Sequence, residues 1–194
     1  MWSAAILAGG RATRFGGRDK GSLVVDGRTI RDRQLAELSK IAGDVLLVGG
    51  DVHDPRARTI PDTIGGCGPL DGIHAALVAA RTDTVFVLAC DMPYITAPLA
   101  TYLLDLATDA DIIVPQTERG FHPLAAVYTR ASVDAIARRL AARQLTVRDL
   151  FDDVRTRIVG SEEIERFGDR HKLLANVNTP AEYAGLESLQ GHTR

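Results

Sequence analysis

The sequence predicts an α/β fold with a mostly parallel sheet, and three observations support this prediction. Short apolar runs with strand character alternate, up to Pro115, with segments that have helical periodicity. The run at 85–90 is apolar throughout, which is typical of a strand buried on both faces. The chain has 194 residues, a length that suits one domain with a single core. We therefore expect a single, Rossmann-like three-layer domain over 1–194, with helices on both faces of the sheet.

The first half of the chain supplies most of the parallel sheet. Strands are predicted at 3–8, 44–48, 57–60, 84–89 and 111–115. Helices are predicted between them at 30–41, 69–80 and 98–107. Leu35, Leu38 and Ile41 share one face of the first helix because they are spaced three residues apart. Thr96 is placed to cap the third helix, with Pro98 in its first turn.

After Pro115 the alternation of strands and helices becomes less regular. A strand at 121–128 can run antiparallel to its neighbours, and it is followed by an amphipathic helix, a short helix and another strand. The last three are predicted at 131–143, 146–151 and 155–159. A final helix is predicted at 179–189, because Thr179 can cap it and Pro180 suits its first turn. Residues 190–194 should form a frayed tail.

Composition narrows the class of function. A net charge of -2 argues against a nucleic-acid partner held by a basic face. The longest apolar run is far shorter than the ~20 residues that span a membrane, and no signal segment opens the chain, so we expect a soluble, cytoplasmic protein. Cys67 and Cys90 lack C-x-x-C spacing, and the five histidines are scattered. This spacing predicts free thiols and no structural zinc site.

The loop that follows the first strand is the strongest functional signal. Residues 7–20 read LAGGRATRFGGRDK. Its two glycine pairs allow backbone N–H groups to approach phosphate oxygens, while Arg14 and Lys20 supply positive charge. The pairs are Gly9 with Gly10 and Gly16 with Gly17. The loop predicts a binding site for a nucleoside triphosphate, and a plain surface turn is the structural alternative.

Two common phosphate-binding loops do not fit this stretch. A P-loop requires Gly-Lys followed by Ser or Thr, whereas here two residues separate Gly17 from Lys20. A dinucleotide fingerprint requires G-x-G-x-x-G at the start of a long helix, and the strand-like stretch at 22–25 argues against that helix. The loop therefore belongs to another class of nucleotide site.

Acidic residues follow two of the predicted strands. Asp91 comes directly after the buried run at 85–90, and ligands of open α/β sheets bind beyond the carboxyl ends of such strands. A carboxylate beside a triphosphate is a natural ligand for Mg²⁺. The alternative is an Asp that caps the turn before Pro93. Asp62 precedes a glycine-rich turn at 65–72, which can bind an anion or a base edge or can simply be a tight turn.

Five motifs, in their order along the chain, resemble the molybdenum cofactor guanylyltransferase family. They are the 7–20 loop, Gly68-Pro69-Leu70, Asp91-Met92-Pro93, His122-Pro123-Leu124-Ala125 and Asn176-Val177-Asn178-Thr179-Pro180. The resemblance extends from about residue 3 to residue 185. The first motif marks a broad nucleotidyltransferase superfamily, and its Leu-Ala-Gly-Gly start favours guanine over cytosine. The Asn-x-Asn-Thr-Pro motif is the most specific to the family.

The resemblance implies a fold of the nucleotidyltransferase type and a particular reaction. The terminal phosphate of a molybdopterin-bound molybdenum cofactor would attack the α-phosphorus of GTP, and pyrophosphate would leave. The product would be the guanine dinucleotide form of the cofactor. The implied cofactor is Mg²⁺, and the implied partners are GTP, the molybdopterin-bound cofactor, and proteins that donate the cofactor or accept the product. Neither a nucleic acid nor a membrane is implied.

The resemblance also implies roles for individual residues. GTP contacts are expected from Leu7, Ala8, Gly9, Gly10, Lys20, Asp62 and Asp91. Catalytic roles are expected for Arg14, Lys20 and Asp91, with Asp91 as the Mg²⁺ ligand. Positions near the second substrate are Gly17, Asn176 and Asn178. Further candidates on that side are His122, Arg119, Arg148 and Arg170, each of which can equally be a packed or solvated side chain.

The chain departs from the family pattern at Val48, where members often have Asn. A Val side chain cannot hydrogen-bond a nucleotide, so any contact there must come from the backbone. Phe15 replaces the usual Met, which is an apolar exchange. Two other functions stay open. One is a related nucleotidyltransferase that uses CTP or acts on a sugar or alcohol phosphate, and the other is a regulatory module that binds a nucleotide without catalysis.

Overall fold

A computed structural model of the chain describes residues 2–8, 19–50, 52–61 and 67–177. The helix predicted at 179–189 and the tail at 190–194 lie outside the described residues. Within these ranges no helix has the length and apolar character needed to cross a membrane.

Strands and helices alternate in the described part of the chain as the sequence predicts. The strands are β1 (Trp2–Leu7), β2 (Val24–Val25), β3 (Arg28–Thr29), β4 (Ala42–Val48), β5 (Arg58–Ile60), β6 (Thr84–Ala89), β7 (Ile112–Thr117), β8 (Gly120–Phe121), β9 (Ala125–Thr129) and β10 (Thr156–Val159). The α-helices are α1 (Ile30–Leu38), α2 (Pro69–Ala79), α3 (Ala97–Asp105), α4 (Val133–Ala141), α5 (Ser161–Glu165) and α6 (Arg170–Leu173). Short 3₁₀ helices cover Lys20–Ser22, Arg130–Ser132 and Val147–Asp152.

The main sheet has the strand order β10-β7-β9-β6-β1-β4-β5, with β8 paired to β7. β1 pairs in parallel with both β4 and β6, whereas β9 runs antiparallel between β6 and β7. The mostly parallel sheet and the antiparallel strand of the second half are thereby confirmed. Because β1, β4 and β6 are parallel, their carboxyl ends meet at one edge of the sheet.

Two apolar layers enclose the sheet, which confirms helices on both faces. In β1, Ala5 and Leu7 pack towards α2 and α4, whereas Ala4 and Ile6 pack towards α1, α3, α5 and α6. This alternation follows from the two-residue period of a strand. Burial of both faces explains why β6 is apolar along most of its length.

Several boundaries differ from the predictions for local reasons. The strand predicted at 121–128 is split into β8 and β9 by a turn, in which the N–H of Ala125 donates to the carbonyl of His122 at 3.1 Å. The strand-like stretch at 22–25 contains the end of a 3₁₀ helix and then β2, which forms a hairpin with β3. Asp26 and Gly27 make that turn with φ angles of 51° and 74°, as a tight hairpin turn requires.

The start of α3 confirms the predicted cap residue but not its hydrogen bond. Thr96 occupies the N-cap position, but its side chain makes no capping hydrogen bond. Instead, the N–H of Ala97 donates to Glu37 Oε2 at 2.8 Å. A carboxylate from α1 thus satisfies one of the free N–H groups at this helix end and joins the two helices.

Candidate functional site

The carboxyl ends of β1, β4 and β6 form the floor of the candidate site. The carbonyl of Leu7 accepts from the N–H of Cys90 at 3.3 Å, and the N–H of Ala8 donates to the carbonyl of Val48 at 2.8 Å. Leu7 and Ala8 therefore lie between the two neighbouring strand ends. They begin the loop at 7–20 that carries the two glycine pairs, which we call the glycine loop. Leu7 also packs closely on α2. A Cβ atom added at Gly72 of that helix would lie only 3.2 Å from a Leu7 methyl group.

A contact between Lys20 and Asp91 is the central feature of this edge. Lys20 Nζ donates to Asp91 Oδ2 at 2.8 Å, although the two residues are 71 positions apart in the chain. Their side chains are only 22% and 14% exposed, so the pair is partly shielded from solvent. The sequence predicted both residues for one site, and the fold brings them together.

The segment before Lys20 is held by its own contacts. Asp19 caps the 3₁₀ helix, since its Oδ1 accepts from the N–H of Gly21 at 2.9 Å. The Asp19 carboxylate also forms an ion pair with Arg31 of α1. These contacts fix the far end of the glycine loop to α1 and direct Lys20 towards β6.

The described residues of the Asn-x-Asn motif, 176–177, lie at the same edge, and we call them the asparagine segment. The N–H of Val177 donates to the carbonyl of Asp91 at 2.8 Å, and the Val177 side chain is fully buried. Asn176, which is exposed, is therefore adjacent in sequence to a residue fixed on Asp91. The other predicted site residues lie outside the described residues: Gly9, Gly10, Arg14, Gly17, Asp62 and Asn178.

Val48 contributes to the site through the backbone that follows it. Its side chain is 1% exposed and packs in the core, as an apolar residue at this position should. Gly49 and Gly50 have φ angles of 76° and 69°, a conformation that favours glycine. A side chain at Gly50 would come within 3.4 Å of the Ala8 carbonyl oxygen. This close approach was not predicted from the sequence, although the pair Gly49-Gly50 was a signal for it.

The amino end of α2 lies on the face of the sheet opposite to α1. Pro69 begins the helix after Gly68, which has a φ angle of 65°. Cys67, which is buried, accepts a hydrogen bond from Arg143 Nη1 at 3.3 Å. Arg143 follows α4 and has a positive φ of 57°. This contact between the two halves of the chain was not predicted, because Arg143 was expected to be the last residue of the helix predicted at 131–143, whereas α4 ends at Ala141.

The cysteines are free thiols, as predicted. Cys90 lies directly before Asp91, and burial, reinforced by the Asp91 charge, raises the pKa of its thiol to about 11. The thiol therefore stays protonated at neutral pH and is a poor nucleophile.

Three of the second-substrate candidates contact other protein side chains, and one of the three lies in a turn that reaches the site. Arg170 pairs with Glu118 at 3.1 Å, and Arg148 lies over the Phe121 ring at 5.5 Å. His122 is in the turn between β8 and β9, where its Nε2 contacts Thr117 Oγ1 at 2.9 Å. That turn reaches the end of β6, since the N–H of Ala89 donates to the Leu124 carbonyl at 2.8 Å.

His122 should make stability depend on pH. Burial, aided by the Arg119 charge and opposed by Glu118, lowers the pKa of His122 below its ordinary value of 6.5. The unfolded chain therefore takes up a proton more readily, so His122 contributes stability above pH 6.5 that is lost as the pH falls. We expect His122→Gln to reduce the loss of unfolding free energy between pH 7.5 and pH 5.5, as measured by urea denaturation.

The exposed His53 provides the control for that measurement. His53→Gln makes the same exchange at an exposed position, so the effect specific to His122 is the difference between the two variants. Equal pH dependence in the unmodified chain and in His122→Gln would show that His122 titrates alike in the folded and unfolded states.

The chemistry of Asp91 fits a divalent cation. Its carboxylate already faces a cationic group, the ammonium of Lys20. Within the described ranges there is no cluster of three or more His, Cys, Asp or Glu side chains that could hold a metal ion by themselves. Mg²⁺ does not need such a cluster, because it is commonly held by one or two carboxylates together with substrate phosphates and water.

The fold and this edge together define a class, the α/β proteins that place a nucleotide beyond the carboxyl ends of parallel strands. A family described as the MobA-like NTP transferase domain matches residues 4–158. A probable molybdenum cofactor guanylyltransferase from Pelotomaculum thermopropionicum is 36% identical over 99% of this chain and 95% of its own length. A molybdenum cofactor guanylyltransferase from Desulfosudis oleivorans is 30% identical over 94% of this chain and 93% of its own length.

A solved structure has the same fold. Molybdopterin-guanine dinucleotide biosynthesis protein A from Archaeoglobus fulgidus superposes with a TM-score of 0.81 at 22% identity, covering 97% of this chain and 98% of that chain. The chain therefore belongs to the MobA-like NTP transferase family, and within it to the molybdenum cofactor guanylyltransferases. The nucleotidyltransferase fold and the enzyme class expected from the sequence are both confirmed.

Proposed function

We propose that this chain transfers GMP from GTP to the terminal phosphate of molybdopterin-bound molybdenum cofactor and releases pyrophosphate. The observation that carries the proposal is the 2.8 Å contact between Lys20 and Asp91 at the carboxyl edge of the sheet. It brings together an ammonium group that suits phosphate oxygens and a carboxylate that suits a metal, at the end of the glycine loop. The relatives bearing the guanylyltransferase name support this choice of substrates.

The residues of the chain act mainly by position and charge. Nucleotidyl transfer needs little covalent help from a protein, and it depends on aligned phosphates and on stabilisation of developing negative charge. Leu7 and Ala8 hold the start of the loop between β4 and β6. Lys20, and Arg14 by its place in the loop, would stabilise charge on the pyrophosphate that leaves.

Asp91 would hold Mg²⁺, and the bound ion would neutralise phosphate charge and polarise the α-phosphorus. The attacking group is itself a phosphate and is anionic at neutral pH, so the reaction requires no strong general base. This agrees with the surroundings of His122 and Cys90, where burial disfavours the charged form of each side chain. We also propose that the reaction takes place in the cytoplasm.

The second substrate would bind between the β8–β9 turn and the asparagine segment. The turn reaches β6 through Leu124, and the segment reaches Asp91 through Val177, so the two flank the end of β6. A phosphate bound there would lie close to Asp91. Asn176 can donate hydrogen bonds to it, as can Asn178 by its place in the motif.

The test is an assay of pyrophosphate release with each of the four nucleoside triphosphates and molybdopterin-bound cofactor as the acceptor. We expect GTP to give the highest kcat/KM. Higher kcat/KM with CTP would assign the chain to the cytidylyltransferases. Val48 does not decide between the two bases, because its side chain is buried and cannot hydrogen-bond to a base. GTP binding without pyrophosphate release under any of these conditions would support a regulatory module instead.

A further inference from the structure

We propose that Gln34 is a positioning residue, which holds the backbone of the Asp91 turn so that the carboxylate is preorganised for a divalent cation. The inference rests on the proposed function, because it takes Asp91 as the metal ligand. Gln34 lies on α1, does not belong to the glycine loop, and is fully buried.

The geometry joins one side chain to both sides of the turn. Gln34 Nε2 donates to the carbonyl of Ala89 at 2.7 Å and to the carbonyl of Met92 at 3.0 Å. These two carbonyls bracket Cys90 and Asp91, so a single amide group spans the segment that presents the carboxylate. A carbonyl oxygen can only accept, so the amide nitrogen must face the turn.

The other half of the same amide gives a second, independent reason. Gln34 Oε1 is buried and has no hydrogen-bond partner among the described residues. A buried polar atom without a partner costs stability, and an apolar side chain of similar shape would avoid this cost. The two donated bonds must therefore supply something that an apolar residue cannot, and what they fix is the path of the backbone through Asp91.

Other contacts support the same turn, but in the described residues Gln34 is the side chain that joins its two sides. Arg33 Nε donates to the Pro93 carbonyl at 3.1 Å, beyond Met92. The N–H of Val177 donates to the Asp91 carbonyl at 2.8 Å from the opposite direction. Loss of the Gln34 bonds would leave these two contacts in place, together with the bond from the N–H of Met92 to the carbonyl of Ala89 at 3.3 Å. The turn would therefore loosen around Asp91 without loss of the fold.

The experiment compares metal binding with nucleotide binding in Gln34→Met, which keeps the length of the side chain and removes its donors. The probe is Mn²⁺, which prefers oxygen ligands as Mg²⁺ does. The fraction of Mn²⁺ that is bound is measured by electron paramagnetic resonance in the presence of GTP. We expect the Kd for Mn²⁺ to rise by about tenfold or more, as for other residues that orient a metal ligand. GTP affinity without metal and the thermal midpoint relative to the control should change little.

Ser132→Ala is the matched control. Ser132 is also fully buried and donates to a backbone carbonyl, that of Thr129 at 2.7 Å. Thr129 pairs with Thr84 at the start of β6, the end of the strand remote from Asp91. This variant should lose some stability and keep the Kd for Mn²⁺. If Gln34→Met does not fold, Gln34→Asn retains a donor that is too short to reach both carbonyls, and the same rise in Kd is expected.

Two results would overturn the proposal: an unchanged Kd for Mn²⁺ in the folded Gln34 variant, or equal loss of Mn²⁺ and metal-free GTP affinity. In the activity assay, the variant should need more Mg²⁺ for half-maximal pyrophosphate release and should recover kcat at saturating Mg²⁺. The two proposals fail separately. An unmodified chain that releases no pyrophosphate would refute the proposed reaction, while the Mn²⁺ comparison would still decide the role of Gln34.

Discussion

Asp91→Asn is expected to lower kcat/KM for GMP transfer by roughly 100- to 1,000-fold, equivalent to about 3–4 kcal/mol. Asn has almost the same shape, so the backbone bonds of the turn persist, including that from Val177 to the Asp91 carbonyl. What is lost is the negative charge that would attract Mg²⁺. GTP binding should persist. The Lys20 ammonium would no longer pair with a carboxylate at position 91, so its charge would be available to the phosphates of GTP.

Asp83→Asn is a closely matched control for this prediction. Asp83 directly precedes β6 and Asp91 follows it, so the same charge is removed at the opposite end of one strand. The Asp83 side chain is 83% exposed and pairs with Arg130, and exposed pairs contribute little stability. Pyrophosphate release and GTP binding should be measured for both variants. A normal rate of pyrophosphate release in Asp91→Asn would refute a catalytic role for the carboxylate.

Lys20→Ala should cost about 2–4 kcal/mol of transition-state stabilisation, in line with other preorganised donors in active sites. The effect should appear in both KM for GTP and kcat, because Lys20 would contact the triphosphate before and during the loss of pyrophosphate. Asp91 would then lack the ammonium that lies 2.8 Å away, so Mn²⁺ without nucleotide should bind more tightly than to the unmodified chain. Steady-state kinetics and Mn²⁺ titration test the two parts.

Lys40→Ala removes the same charge at a place where we expect no effect. The Lys40 side chain is 59% exposed and pairs with Glu37 of α1. Its kinetic constants should match those of the unmodified chain. If Lys20→Ala also retained kcat/KM, the role of Lys20 as a phosphate ligand would be excluded, and the contact with Asp91 would be purely structural.

Much of the fold was predictable because its signals are local. The apolar run of β6, the periodicity of α1 and the proline at the start of α2 each depend on neighbours within one element. The short helices α5 and α6 were missed, since segments of five and four residues are too short to display a helical period. Thr96 is at the N-cap position of α3 as predicted, but its side chain makes no capping bond, and a distant carboxylate, that of Glu37, accepts from the N–H of Ala97.

By itself the sequence determined the mostly parallel sheet and Asp91 as an acid at a strand end, and it predicted that the 7–20 loop binds phosphate. Residue type and short spacing are enough for these, because glycine freedom and strand termination act within a few residues. Only the tertiary structure decided that Lys20 meets Asp91 across 71 positions and that Gln34 supports the turn. The reason is physical: a side chain's partner is set by how helices and strands pack, and Gln34 has no local pattern that distinguishes it from a surface amide of α1.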